Sequence, residues 1–150
     1  MRVLIQRVKK AEVQVKKKIV GSINNGILIY VGIDINDNLD DLDWIAKKVL
    51  NLRVFNDDLG LMNHSVRDVN GEILLISQFT LMASTKKGNR PSYIKSANRR
   101  VAIPLYESLV MKLEEKINFN VKTGVFGANM EVRSVNDGPV NIYIDSKKKE

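Results

Sequence analysis

The sequence predicts an α+β fold: a single domain over residues 1–150, mostly antiparallel sheet, with two main helices. Three observations predict it. Seven short runs are rich in Val and Ile and bounded by Gly, Asn or Asp, the composition of strands. Two longer stretches carry apolar residues at helical spacing instead. Strands outnumber helices, and the helices do not alternate regularly with them, as they would in a parallel βαβ sheet.

The expected strands are residues 3–8, 12–16, 26–33, 53–55, 72–77, 130–135 and 140–145. Asn24-Asn25-Gly26 and Asp57-Asp58-Leu59-Gly60 read as turns, because Asn, Asp and Gly tolerate the backbone angles that tight turns require. The first helix has Leu39, Leu42, Ile45, Ala46, Val49 and Leu50 on one face. Asp40, Asp41 and Asp43 sit near its positive start, and Lys47 and Lys48 near its negative end. Ala102, Tyr106, Leu109, Val110, Leu113 and Ile117 form the stripe of the second helix, with Pro104 expected in its first turn, where a missing N–H is tolerated. Both stripes and the lone Trp44 are expected in the core. No internal repeat, low-complexity block or linker interrupts the chain.

A chain of 150 residues suffices for one core, and 44% apolar with 27% charged residues is ordinary globular composition. The absence of cysteine excludes disulfides, thiolate metal sites and a cysteine nucleophile. No apolar run approaches the roughly 18 residues of a membrane span; the longest, 26–33, is strand-sized. The start, MRVLIQRVKK, lacks the pattern of a signal peptide, so a cytoplasmic protein with no membrane association is expected. A formal charge of +7 suits a polyanionic partner. The chain is nevertheless rich in Lys, Asn and Ile throughout, and Lys9, Lys10, Lys16, Lys17, Lys18 and residues 147–149 read equally well as solvated charge. Charge permits RNA without identifying it.

Chemistry is approached by elimination. A Ser-His-Asp arrangement needs a histidine base, and the only histidine, His64, lies in a polar segment, Met62-Asn63-His64-Ser65, that reads as surface loop. One histidine without cysteine or a carboxylate cluster makes no ordinary zinc site, and there is no HExxH motif and no P-loop. Gly124 and Gly127 form a GxxG too weak to assign. No metal or cofactor is expected, and an enzyme built on this chain works without the usual acid–base side chains.

Two segments stand out. In Ser77-Gln78-Phe79-Thr80-Leu81 a fully apolar strand, residues 73–76, changes abruptly to polar. Its three hydrogen-bonding side chains either converge on a ligand at the strand end or simply face water. In Val135-Asn136-Asp137-Gly138-Pro139-Val140 the Gly-Pro pair reads as a turn between strands, or as bare carbonyls presented to a ligand. An X-Pro bond is also where a cis peptide is cheap.

Together, in this order and spacing, the two segments closely resemble the D-aminoacyl-tRNA deacylase family of the bacterial and eukaryotic type. The resemblance continues in Ile5-Gln6-Arg7-Val8, in residues 26–32, in Lys87-Gly88-Asn89-Arg90-Pro91-Ser92 and in Thr123-Gly124-Val125-Phe126-Gly127-Ala128-Asn129-Met130. It spans essentially the whole chain. It implies a barrel-like sheet and a homodimer with active sites at the subunit interface. It further implies hydrolysis of the ester in D-aminoacyl-tRNA, and of glycine mischarged on tRNA(Ala), releasing the amino acid and tRNA. Gly138-Pro139 would be cis and inserted into the partner's pocket, where its carbonyls accept from the α-ammonium group and exclude an L side chain. Arg7 matches the arginine that steadies this loop. Ser77, Gln78 and Phe79 would line the pocket for the terminal adenosine and the ester, with Phe126 and Met130 near the adenosine and the Thr80 hydroxyl close by. Ser77, Gln78 and Thr80 are thus the catalytic candidates; Phe79, Gly138, Pro139, Arg7, Phe126 and Met130 are the substrate-binding ones. The tRNA 2′-hydroxyl takes the place of a side-chain base. Asn141 departs from the family pattern, which commonly has threonine there. Two rivals remain: a non-catalytic tRNA or nucleic-acid binding protein of the same fold, and a serine or threonine hydrolase using Ser77 or Thr80.

Overall fold

Arg2–Val15 forms one long strand, β1, in the computed structural model, which describes residues 1–117 and 121–149. The expected domain extent also takes in residues 118–120 and 150, which lie outside the described residues. After β1 come β2 (Lys18–Ile23), β3 (Gly26–Gly32), α1 (Leu39–Asn51), β4 (Phe55–Asn56), β5 (Met62–His64) and β6 (Glu72–Ser77). A 3₁₀ turn (Phe79–Met82), α2 (Arg99–Glu114), β7 (Lys122–Thr123) and β8 (Glu131–Asp145) complete the order.

β1 is central. β8 runs antiparallel along one of its edges, while β3 and β2 share the other, antiparallel to its first and second halves. β6 joins β3 in parallel and β7 joins β6 in parallel, so the sheet is mixed although most of its pairs are antiparallel. It curls until β2 meets β7. A Cβ at Gly21 would stand 2.6 Å from the Thr123 carbonyl oxygen, so only glycine lets the ends of the sheet approach this closely. The result is a nearly closed barrel.

Both sheet faces carry a buried apolar cluster. Val3, Ile5, Ile27, Ile29, Val31, Ile73 and Leu75 pack beneath α1 and α2, while Val8, Ala11, Val13, Ile23, Leu28, Leu74 and Ile76 fill the barrel interior. This explains the uninterrupted apolar run in β6: a strand buried on both sides has no polar face to alternate with.

Several expectations change. The strands predicted at 3–8 and 12–16 are one. Val8 and Ala11 face the same interior despite their odd spacing, which a bulge allows: Val8 and Lys10 pair with the adjacent Asn136 and Val135. β2 was not expected. Its hairpin with β1 turns on Lys16 and Lys17, at φ 49° and 66°, where Asn or Gly is the usual signal. Asn24-Asn25 is a bend joining β2 to β3, both of which run alongside β1, rather than a reversal. The strand expected at 53–55 is β4, Phe55–Asn56, and His64 lies half-buried in β5 rather than in a loop.

In α1, Asn38 and Asp41 form a reciprocal capping box. Leu39, assigned to the apolar face, is exposed at the helix start, and Trp44 is half-buried at the edge of the core. Ser146 Oγ and Lys147 Nζ donate to Asp41 at 2.7 and 2.6 Å. Burial works to raise this carboxyl, but those bonds outweigh it and hold its pKa below the ordinary aspartate value. Lys147 is therefore a structural partner rather than merely solvated charge. In α2, Asn98 caps the helix and Pro104 is its sixth residue, in the second turn rather than the first, with its ring exposed.

Candidate functional site

Ser77 ends β6 opposite Val31 of β3, and the Gln78 N–H donates to the Val31 carbonyl at 2.7 Å, the last tie before the chain leaves the sheet. Turning off into the 3₁₀ segment places Phe79 and Thr80 at its start, where backbone N–H groups have no partner within the turn. The Gln78 side-chain amide donates to Thr80 Oγ1. Phe79 is 57% exposed, and Tyr93 meets it edge-to-face at 4.9 Å between ring centres.

Two hollows meet at this strand end. One, of about 410 Å³, lies on the helix side and is lined by Val31, Ser77, Phe79, Asn98, Arg99 and Phe126, among others. The other, of about 300 Å³, lies on the barrel side and includes Ser77, Gln78, Phe79, Phe126, Asn129 and Met130. Ser77, Gln78, Phe79, Phe126 and Met130 are thus gathered around one hollow, and Thr80 stands exposed beside them. Phe126 is backed edge-to-face by Tyr106 at 5.5 Å, whose hydroxyl donates to the Leu75 carbonyl at 2.8 Å. Burial pushes the Tyr106 phenol well above its ordinary pKa, so it stays a neutral donor. Among the described residues, no histidine or carboxylate lines either hollow. The setting offers hydrogen bonds, aromatic faces and the Arg99 guanidinium, but no side-chain base.

Arg7, Gly138 and Pro139 stand elsewhere. Between the pairs Val8–Asn136 and Gln6–Asn141, four residues of β8 face the single residue Arg7, so Gly138-Pro139 is a bulge within one strand rather than a turn between two. The peptide between them is cis. Gly138 has φ +114° and, like Pro139, is exposed. Arg7 is buried beneath the bulge. Its Nη1 donates to the Val54 carbonyl at 2.6 Å and to Asn56 Oδ1 at 3.2 Å, and its Nε lies 3.0 Å from Asp137 Oδ2, an ion pair without hydrogen-bond alignment. Asn141 Oδ1 accepts from Gln6 and from Asn136, both at 2.8 Å, and so closes the base of the bulge. The unexpected asparagine has a structural use.

The bulge and the hollows do not meet within one chain. Three strand spacings and four residues of register separate Gly138 from Ser77, roughly 15–20 Å.

Sequence reasoning missed Asn98, Arg99, Tyr93 and Asn56. Asn98 carried a readable signal, as a helix cap before the second apolar stripe. Arg99 did not: its guanidinium lies on Gly127, at φ +73°, only because α2 packs beside the loop that follows β7.

The chain thus presents a sheet curled almost into a barrel, with a polar strand end set between aromatic rings and opening on two hollows. The family model described as D-Tyr-tRNA(Tyr) deacylase matches residues 4–145, and the chain belongs to that family. It is 55% identical to the D-aminoacyl-tRNA deacylase of Flavobacterium psychrophilum and 51% identical to that of Bacteroides thetaiotaomicron, in each case over 150 residues and the whole of both chains. A solved structure titled c-Myc DNA Unwinding Element Binding Protein superposes with a TM-score of 0.92 at 37% identity, covering 97% of this chain and 98% of the other. A probable eukaryotic D-amino acid tRNA deacylase superposes with a TM-score of 0.80 at 17% identity over 95% and 97%, a likeness of fold.

Proposed function

We propose that this protein is a tRNA-editing hydrolase that cleaves the ester of D-aminoacyl-tRNA and releases the free D-amino acid and tRNA. The observation that carries this reading is the gathering of Ser77, Gln78, Phe79, Phe126 and Met130 around hollows without a base, in a chain of this family. The terminal adenosine stacks against Phe79 and Phe126. The substrate's own 2′-hydroxyl, held beside the carbonyl, relays the proton of the attacking water, and the ribose 3′-oxygen leaves with it. The N–H groups of Phe79 and Thr80, with the Gln78 amide, stabilise the oxyanion as it forms.

Chirality is filtered by exclusion. The active species is a homodimer in which the Gly138-Pro139 bulge of one protomer enters the hollow of its partner. Its carbonyls accept from the α-ammonium group and occupy the volume an L side chain needs. Glycine has nothing to exclude, so glycyl-tRNA, including glycine mischarged on tRNA(Ala), is also cleaved. Dimerisation is supported by the 15-residue edge strand β8 and by Leu4, Tyr30 and Tyr143 on the sheet face turned away from the helices. Tyr143 is 53% exposed.

Deacylation of D- against L-tyrosyl-tRNA by the purified protein tests the reading. Turnover of the D form alone is expected, with loss of turnover but not of binding when the terminal ribose is 2′-deoxy. Cleavage of both enantiomers, or an acyl group trapped on Ser77 or Thr80, would overturn it. The 37%-identical solved structure is named as a DNA-element binding protein, which favours a second reading, a non-catalytic nucleic-acid binding protein. Binding of uncharged tRNA or DNA without any turnover would select that one.

A further inference from the structure

Between Glu72 and Glu107 the chain has no acidic residue and six cations: Lys86, Lys87, Arg90, Lys95, Arg99 and Arg100. The remainder holds eighteen cations and seventeen acids, so almost the whole excess of +7 comes from this one segment. A general composition bias does not produce that distribution. All six cations are exposed, and among the described residues none is paired with a carboxylate, whereas Arg2, Arg7, Lys112 and Lys147 are.

The fold sets this segment at the mouth of the hollows. It leaves from Phe79 and returns at Asn98 and Arg99, which line the helix-side hollow. It is held at both ends: Ser84 and Ser92 exchange backbone hydrogen bonds of 2.8 and 2.9 Å, and the N–H groups of Ile35 and Ala97 donate to Lys95 and Ile33 at 2.9 Å. Lys86, Lys87 and Arg90 therefore ride on a closed loop beside the Phe79–Tyr93 pair.

We propose that the loop 84–92, continued by Lys95 and Arg100, is a phosphate rail for the RNA that follows the terminal nucleoside. This rests on the function proposed above. A hollow sized for one nucleoside leaves the rest of the acceptor end outside, carrying one negative charge per nucleotide across the rim. Unpaired cations on an anchored loop answer that charge through counterion release, and phosphate contacts position the RNA without reading its sequence.

The test compares two substrates, D-tyrosyl-tRNA and the D-tyrosyl ester of adenosine, with the variant Lys86→Gln/Lys87→Gln/Arg90→Gln. A control, Lys47→Gln/Arg67→Gln/Lys116→Gln, removes equal charge from exposed positions away from the loop. In the loop variant, kcat/KM for the tRNA should fall about tenfold or more through KM, and its log–log salt dependence should flatten by about two. The adenosine ester should be cleaved at the wild-type rate, and the control should leave both substrates unaffected. Equal loss on both substrates, no loss on tRNA, or the same loss in the control would overturn the proposal. If the wild type cleaves neither substrate, the proposed function fails instead. Binding of uncharged tRNA by the wild type against the loop variant then decides the rail: weaker binding supports it and equal binding removes it.

Discussion

The strand end at Ser77–Thr80 is concave, framed by aromatic rings and backed by core, whereas the Gly138-Pro139 bulge is convex and exposed. The first gathers side chains with donors and π faces around empty volume. The second has no polar side chain at its tip and offers backbone, yet its underside is the more tightly tied, through buried Arg7 to Val54, Asn56 and Asp137. On the function proposed above the first is a receptacle, which needs specific side chains, and the second a probe, which needs a fixed backbone that no side chain obscures. The pairing register keeps the two apart within one chain.

Four experiments break or sharpen this contrast. Gln78→Ala should have the largest effect, lowering kcat for D-tyrosyl-tRNA by about 10²–10³-fold, as loss of an oxyanion donor does. A change confined to KM would make Gln78 a binding group only.

Gly138→Ala follows. A Cβ there would stand 2.8 Å from Val140 Cγ2 and 3.0 Å from Arg7 Nη2, on a residue at φ +114°. The bulge must shift, and a displacement near 1 Å lowers kcat/KM by about 100-fold. Mixing this variant with Gln78→Ala after denaturation and refolding should restore roughly a quarter of wild-type activity. Random pairing makes half the dimers mixed, each with one intact site. A mixture no more active than its components would place the hollow and the bulge that serve each other in the same chain.

Arg7→Ala acts on the tie beneath the probe. Leaving the Val54 carbonyl without its donor should cost about 1–3 kcal/mol in chemical denaturation. The ratio of D to L deacylation rates should fall with it. Arg7→Lys should not restore the ratio, because an ammonium cannot reproduce the planar fork. An unchanged ratio in both variants would detach Arg7 from discrimination.

The smallest effect belongs to Thr80→Ala. Its hydroxyl is exposed and, among the described residues, accepts only from the Gln78 amide. The rate should stay within about threefold of wild type, with chiral preference intact. A loss as large as that of Gln78→Ala would move Thr80 into the reaction itself.

The sequence by itself determined which residues lie in strands and helices wherever their apolar period was strong. The run at 73–76 and the stripes of α1 and α2 carry their burial in composition. It also determined the contents of the strand end, because an apolar strand that turns polar within one residue is visible as letters. Local signals failed where packing outweighed them. Lys16 and Lys17 make a hairpin without turn residues, since the β1–β2 ladder repays the φ > 0 conformations. The bulge at Val8–Lys10 was hidden because slippage against β8 is a property of two strands, not one. Only the tertiary structure decided that Gly138-Pro139 interrupts a single strand above Arg7, and that Asn141 closes it. Neither follows from spacing, because both depend on which residues of β1 stand opposite. The same holds for charge: composition counts cations, and only the fold puts an acid-free segment at the mouth of the hollows, since distances in space do not follow distances along the chain.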